Sequence, residues 1–443
     1  MRAFSHLKDP TMKKFFVSLI ALASMAFASL ASAAAAVPDK ALAIVSSAGK
    51  ALGDAVLGSL ANRGIVMGAN IFTALQPTLF SAAQEVAAEP FGVISAINAN
   101  FDDKGVAQGD TVSVPVAPTA TATDFTPAAT AAAGDDKTPT TVAVTISASK
   151  KVSWHMTGEQ IRSLENGGND TEWVRQLVAQ GMRTLRNLAE SAACVAIKQG
   201  ASRAIGTAGT NPFASNIDAI ADLRKVLMDN GAPLADLQLC IDSTAGTAAR
   251  KLGIVQQAYQ AGSDQERRSG DLLRQFGFAI RESAGIVQHT KGTGASYVTS
   301  GSTAVGVRDV ALVTGTGTVL SGDVVTFAAD SANKYVVNTG VAAPGTISLG
   351  RPGARAVIAT ANALTVGNSY TPNLAFERNA VVGIMRPPIF PENATIQKTL
   401  ISDAFGMTYL LLQIQQYGMT TWELHLAYGF KVVQGEQVAL LLG

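Results

Sequence analysis

The chain is 443 residues long, enough for two or three domains with buried cores. Its 34 basic and 33 acidic side chains leave a formal charge of +1, so net charge by itself points to no polyanionic partner. Charged residues make up 15% of the chain against a usual ~25%, and the two cysteines, Cys194 and Cys240, stand far apart, which excludes a disulfide framework and argues against a cysteine-based zinc site.

In chain order, the first 66 residues read differently from the rest. Lys13 and Lys14 precede an uncharged run, Phe15 to Ala36, with Ala31-Ser32-Ala33 near its end. A basic start, an apolar middle and a small-x-small site form a secretory signal pattern. Its serines and alanines weaken a membrane-span reading, although its length permits one. Lys40 to Leu60 is weakly amphipathic, and a start at Met67 is a third reading.

From Asn70 the pattern predicts compact structure. Pro77 suits the first position of a short helix with Leu79, Ala82 and Val86 on its inner face, ending near Pro90. Phe91 to Phe101 reads as extended. Thr111-Val112-Ser113-Val114 alternates as a strand within Val106 to Val116, and alternation resumes from Val142 to Trp154. Between them, Ala117 to Thr140 has almost no large apolar side chain. Loops this long inside compact folds are uncommon, so the pair predicts an arm that lies on a neighbouring subunit.

Trp173 to Gln199 carries the longest helical period. Val174, Leu177, Gly181, Leu185, Leu188, Ala192 and Val195 recur at steps of three and four. Arg186 and Glu190 fall off that stripe and predict an i, i+4 ion pair. Asn216 to Asp229 predicts a second helix through Ile217, Ile220, Leu223 and Leu227, closed by Asn230-Gly231. Leu237 to Ile241 reads as a half-buried strand, Ser243 to Leu252 as a helix and Phe276 to Arg281 as a strand.

From Thr293 to Tyr370 short β runs alternate with Gly, Asn and Pro turns, which predicts a compact antiparallel domain. Those runs are Ala311 to Val313, Val324 to Phe327, Lys334 to Val337, Thr346 to Leu349 and Ala356 to Ile358. Tyr409 to Gln416 and Thr420 to Phe430 then form a hairpin with Trp422, Leu424, Leu426 and Tyr428 on one face, and Val438 to Leu442 is a last strand.

Catalytic patterns are weak. His6, His155, His289 and His425 share no ligand spacing. Gly49-Lys50 lacks the rest of a phosphate loop, and Gly315-Thr316-Gly317 sits between β runs with no following helix. Ser147-Ala-Ser-Lys150 and Ser47-Ala-Gly-Lys50 match Ser-x-x-Lys with no companion Lys-Thr-Gly. The sequence nominates no catalytic, cofactor-binding or metal-ligating residue and no cofactor.

Several longer strings carry a resemblance. They are Gly206-Thr-Ala-Gly209-Thr-Asn-Pro212-Phe213, Asp229-Asn-Gly-Ala-Pro233, Phe278-Ala-Ile-Arg-Glu-Ser283 and His289-Thr-Lys-Gly-Thr-Gly294. Further along come Gly322-Asp-Val-Val-Thr-Phe327, Asn333-Lys-Tyr-Val-Val337, Val366-Gly-Asn-Ser-Tyr370 and Ala427-Tyr-Gly-Phe-Lys-Val-Val433 through Ala439-Leu-Leu-Leu-Gly443. In this order they resemble tailed-phage major capsid (coat) proteins of the short-tailed branch, over about Met67 to Gly443. Gln434-Gly435 departs from the pattern, where relatives tend to have proline before the glutamate.

The resemblance implies an α+β Hong Kong 97-type fold with an inserted all-β domain. The segments would be a signal-like or non-native extension (1–66), an N-terminal arm (67–103), an extended loop (104–155) and a peripheral domain with a spine helix (156–215). An axial domain (216–291), the inserted β-domain (292–372) and axial plus peripheral strands (373–443), including one near Ala380, would follow. The implied role is mechanical and not enzymatic: the chain assembles with itself as hexamers and pentamers into an icosahedral shell. Packaged double-stranded DNA, held without sequence-specific binding, a scaffolding protein and a portal would be partners, with no membrane contact for the body. That places the chain in the virion, and in the host cytoplasm during assembly. The signal-like start conflicts with this, so the functional subunit is expected to begin at or be trimmed near Met67. A secreted β-rich surface protein is the alternative.

Overall fold

The computed structural model describes residues 81–83, 86, 92–101, 104–116, 127, 140–167, 170–252, 274–391, 396–402 and 407–443. The expectations for residues 1–66 and Met67, and for most of the 117–139 tip, lie outside the described residues.

Residues 81–83 and 86 are helical, and the further helices among the described residues are α1 (Gly158–Gly167), α2 (Asp170–Gly200), α3 (Asp218–Asp229) and α4 (Ser243–Lys251). The strands begin with β1 (Asn98–Phe101), β2 (Thr111–Val116), β3 (Thr140–Thr145), β4 (Ala148–Thr157), β5 (Arg203–Ile205), β6 (Leu237–Ile241) and β7 (Phe278–Glu282). Then come β8 (Val298–Thr299), β9 (Asp309–Val313), β10 (Val324–Phe327), β11 (Asp330–Thr339), β12 (Gly345–Leu349) and β13 (Leu364–Val366). The last are β14 (Pro372–Glu377), β15 (Val381–Arg386), β16 (Ile396–Ser402), β17 (Thr408–Gln416), β18 (Met419–Val432) and β19 (Val438–Leu442).

Among the described residues these strands form two sheets and a hairpin. A six-stranded sheet runs β1-β15-β18-β17-β16, with β4 also paired to β18. An eleven-stranded sheet runs β7-β6-β14-β19-β5-β11-β12-β9-β8, with β10 and β13 attached through β11. The hairpin is β2 with β3.

Helix α2 connects these parts. Its Gly181 lies against Leu424 of β18 and Trp154 and Val152 of β4, where an added Cβ would stand 3.3 Å from Leu424. At its end Gly200 is closer still: a Cβ there would fall 2.5 Å from Val432, so only glycine lets helix and strand meet. Farther along, Ala193, Cys194 and Ile197 enter one core with Phe376, Val438, Leu440, Val324 and Tyr370. One rod therefore touches the six-stranded sheet, the β14/β19 region and the 293–370 segment.

The burial of α2 differs from the periodicity reading by about one position. Val178, Met182, Leu185, Ala189, Ala193 and Ile197 are buried, while Leu188 and Val195 of the expected stripe are exposed. Arg186 and Glu190, expected off the buried stripe, are 0% and 1% exposed. The helix is covered from more than one side, so its inner face is wider than a single stripe.

Strand β6 is fully buried, not half-buried. Leu237, Leu239 and Ile241 face a core with Ile220, Leu223 and Leu227 of α3, whereas Cys240 faces the core of α2. Period-two alternation with both faces covered produces a continuous apolar run. Strand β19 does the same, with Ala439 and Leu441 on one side and Val438, Leu440 and Leu442 on the other.

Other departures are local. Gly92 to Ala96 is a turn, so only the second half of the expected extended segment is a strand. The Val142 to Trp154 run breaks at Ile146-Ser147, where Ile146 N–H donates to Asp110 O and Ser147 N–H to Tyr428 O. Strand β4 then pairs with β18 along its whole length, as part of the body sheet. The strand near Ala380 is two strands: β14 pairs with β6, and β15 with β18. Ala356 to Ile358 forms only a bridge from Ile358 to Thr303.

The 293–370 segment has its own core, including Tyr297, Phe327, Tyr335, Ile347 and Leu349. It also continues the large sheet, because Lys334 and Tyr335 of β11 pair with Ala204 and Arg203 of β5.

Candidate functional site

Two buried polar clusters fasten α2 to distant parts of the chain. In the first, Glu190 accepts from Val93 N (2.7 Å), Ile94 N (2.9 Å) and Ser283 Oγ (2.7 Å). The turn at Gly92 to Ala96 thus takes its shape from a carboxylate about a hundred residues later in the chain. Nearby, Arg186 Nη1 donates to Val86 O at 3.2 Å. Charge-assisted bonds of this kind are short and roughly twice as strong as neutral ones.

In the second, Lys198 Nζ lies 3.0 Å from His289 Nδ1, and His289 Nε2 lies 2.8 Å from Asp323 Oδ1. A lysine ammonium offers only donors. His289 Nδ1 therefore accepts, and Nε2–H donates to Asp323. Asp323 also accepts from Gly292 N and Leu320 N. Burial pulls the Lys198 amine below its ordinary value, and the charge of Asp323 offsets part of that. The Tyr370 ring packs against His289 in a tilted arrangement with 5.2 Å between centroids, and its hydroxyl donates to Gly322 O. The chain enters the 293–370 segment at Gly292 and leaves it at Tyr370, so this cluster sits at that junction.

The remaining residues singled out by sequence do not converge on chemistry. His155 is exposed on β4, and His425 Nε2 lies 3.0 Å from Glu423. Ser147 Oγ donates to Tyr428 O, while Lys150 is exposed. Gly315 and Gly317 take positive φ in a turn, as their sequence setting predicts. Cys194 and Cys240 are buried free thiols, and burial pushes both well above the usual thiol range. Such thiols remain protonated and are poor nucleophiles. Among the described residues no group of three or more His, Cys, Asp or Glu could hold a metal ion. No helix among them is long and apolar enough to cross a membrane.

The hairpin β2/β3 has a different character. At its foot Val144 and Ile146 are buried against Ile384 and Ala427, with Val112 and Val114 partly covered. Farther out, Val116 is half-buried and its partner Thr140 is exposed. Beside the foot, Pro387, Pro388, Ile389, Phe390, Leu400 and Leu410 line an open apolar groove. Ile389 is 68% exposed and Leu400 45%. At the β17/β18 turn Tyr417 is fully exposed.

Sequence reading missed both polar clusters because their members are far apart in the chain. The one local trace is a pair of charged residues, Glu190 and Lys198, on an otherwise small-residue helix end.

No family model and no curated protein matches the chain. Solved structures do. The capsid of Cyanophage P-SCSP1u matches with 12% identity over 80% of this chain and 88% of that one, at a TM-score of 0.45. Mycobacterium phage Che8 matches with 14% identity over 75% and 84%, at 0.41. The mature capsid of bacteriophage PhiM1 matches with 13% identity over 78% and 85%, at 0.40. Phage capsids are thus among the solved structures to which the chain is similar.

Proposed function

We propose that the chain is a major capsid protein whose copies close into an icosahedral shell around double-stranded DNA. The supporting observation is the β2/β3 hairpin, which anchors its foot in its own subunit and leaves the valines of its outer strand pairs only half-covered. Half-exposed valines leave apolar surface that a neighbour would cover. The open groove beside Ile389 and the exposed Tyr417 add apolar surface that a second copy would cover.

The clusters on α2 fit the same role. A shell transmits load between subunits, and a body cross-tied by buried charge-assisted bonds resists shear between its sheets. Contacts of unlike surfaces that close by rotation give hexamers and pentamers. Near-neutral net charge suits a container that encloses DNA without gripping it. The domain map is part of the proposal: arm 67–103, extended loop 104–155, peripheral domain 156–215, axial domain 216–291, inserted β-domain 292–372, and 373–443 returning to both. Scaffolding protein and portal are the other partners, and the role requires no enzymatic activity. Electron microscopy of the purified protein tests the reading: closed shells or tubes support it, and dispersed single subunits under all assembly conditions count against it.

A further inference from the structure

The six-stranded sheet has two open edges on opposite sides of one stretch of β18. Residues 419–425 connect through β17 to β16 on one side and pair with β4 on the other. Three cross-strand rows run this full width. Gln397-Gln413-Trp422-Trp154 and Thr399-Leu411-Leu424-Val152 face α2, and Leu400-Leu410-His425-Lys151 lies on the other face. Among the described residues neither β16 nor β4 has a strand partner on its outer side. We propose that these two edges are mates: β16 of one copy pairs with β4 of the next, and the sheet continues across the subunit boundary.

Edge chemistry supports this. An uncovered edge presents unpaired N–H and C=O groups and is normally blunted by a proline, a bulge or an outward charge. Strand β16 has no proline and no register shift, and its single charge, Lys398, turns back to donate to Phe390 O at 2.7 Å. Strand β4 pairs in unbroken register over its ten residues. Its Lys151 is held by Glu423 at 2.7 Å, and Lys150 stands outside the stretch opposite residues 419–425.

Strand direction selects the mate. All three pairings are antiparallel, so β16 and β4 of one copy run in opposite directions. A second copy in the same orientation therefore sets its β4 antiparallel to β16, the pairing used in the rest of this width of the sheet. A twofold contact at β16 would leave β4 open, whereas the head-to-tail contact satisfies both edges with one interface. On the α2 face, Thr399 and Ile401 of β16 would meet Val152, Trp154 and Met156 of β4, which extends the apolar layer under the helix. Such a contact is heterologous and closes into a ring when each step adds a rotation. The inference rests on the capsid reading for the presence of several copies.

Cysteine pairing in the full-length protein tests it. Leu400→Cys is combined in one chain with Lys151→Cys, Ser153→Cys or His155→Cys, all exposed positions on the face away from α2. Three partners sample the registers that keep this face in line. Inside one copy the two positions lie three strand spacings apart, about 14 Å, so a link joins two copies. Opposite residues on adjacent strands stand about 4.5–5.5 Å apart at Cβ, within a small adjustment of disulfide reach. After oxidation with diamide under assembly conditions, one of the three pairs should give a ladder of dimers, trimers and higher species on a non-reducing gel. Peptide mass mapping should place the link between β16 and β4, and a mixture of the two single-cysteine chains should stop at dimers. The parent chain, with its buried Cys194 and Cys240, and a Val313→Cys/Ser153→Cys control should give no ladder. No link in any of the three pairs, links that stop at dimers in the double variants, or equal linking in the control overturns the proposal. Closed shells without a ladder would leave the capsid reading standing and remove this contact, and a ladder without closed shells would do the reverse.

Discussion

The C-terminal half of α2 and the β2/β3 hairpin treat polar and apolar groups in opposite ways. On the helix, Arg186, Glu190 and Lys198 are buried, and each bonds to a segment far along the chain. On the hairpin, the outer valines are only half-covered although nothing in their chemistry requires exposure. On the proposed reading the helix is complete within one subunit, and the hairpin is completed by a neighbour. This difference separates the part of the molecule that holds the fold from the part offered to a neighbour. It also says where mutations should be felt: in stability on the helix, in assembly on the hairpin.

The largest effect on stability is expected at Glu190. Glu190→Ala leaves two buried N–H groups and the Ser283 hydroxyl without their acceptor, at a cost of about 3–5 kcal/mol. Denaturant unfolding checks this, and Glu190→Gln, which keeps one acceptor oxygen, should lose less. At the second cluster, His289→Ala removes the acceptor of Lys198 and one donor to Asp323 and should cost about 2–4 kcal/mol. His289→Gln can accept from Lys198 and donate to Asp323, and its loss should be about 1 kcal/mol or less. If the glutamine variant is as damaged as the alanine one, the bonds are not what holds the junction.

A smaller effect is expected from pH at the Lys151–Glu423–His425 group. Burial holds the His425 imidazole below its ordinary 6.5, although Glu423 opposes the shift. Burial pushes Glu423 up, but bonds from Lys151 and His425 outweigh it and hold it below its ordinary 4.5. Both folded-state values are depressed, so both groups contribute stability above their unfolded values and lose it as pH falls. Thermal unfolding should show a decline starting as pH drops below about 6.5 and continuing below about 4.5. His425→Gln should remove the upper part of that decline.

The smallest effect on stability is expected from deleting Thr119 to Thr138. The buried part of the hairpin is its foot, at Val144 and Ile146, so the subunit's unfolding free energy should change by less than about 0.5 kcal/mol. Assembly should nevertheless be abolished. A deletion that assembles normally would remove the arm from the account, and one that unfolds the subunit would erase the contrast with α2.

Much of this was legible in the sequence, for specific reasons. The bounds of β6, β10 and β19 coincide with the runs Leu237 to Ile241, Val324 to Phe327 and Val438 to Leu442. Short apolar runs between turn residues leave little freedom in where a strand starts. Helix α2 was legible as a helix, but its buried face was not. Periodicity ranks Leu188 above Arg186, whereas the turn at Gly92 to Ala96 and Ser283 cover the side where the charges lie. The His289 cluster left no local trace beyond the charge of Lys198 itself, since Lys198 and Asp323 meet His289 only through the fold. The break at Ile146-Ser147 was hidden because alternation continues across it, and only the bonds to Asp110 and Tyr428 show where the arm ends and the body sheet begins.

The central claim is that the hairpin's uncovered face is filled by another copy of the chain. Electron microscopy of the purified full-length protein, side by side with the 119–138 deletion, tests it most directly. The account predicts closed shells or tubes from the intact chain and dispersed folded subunits from the deletion. Dispersed subunits from the intact chain across assembly conditions, or shells from both, would contradict it.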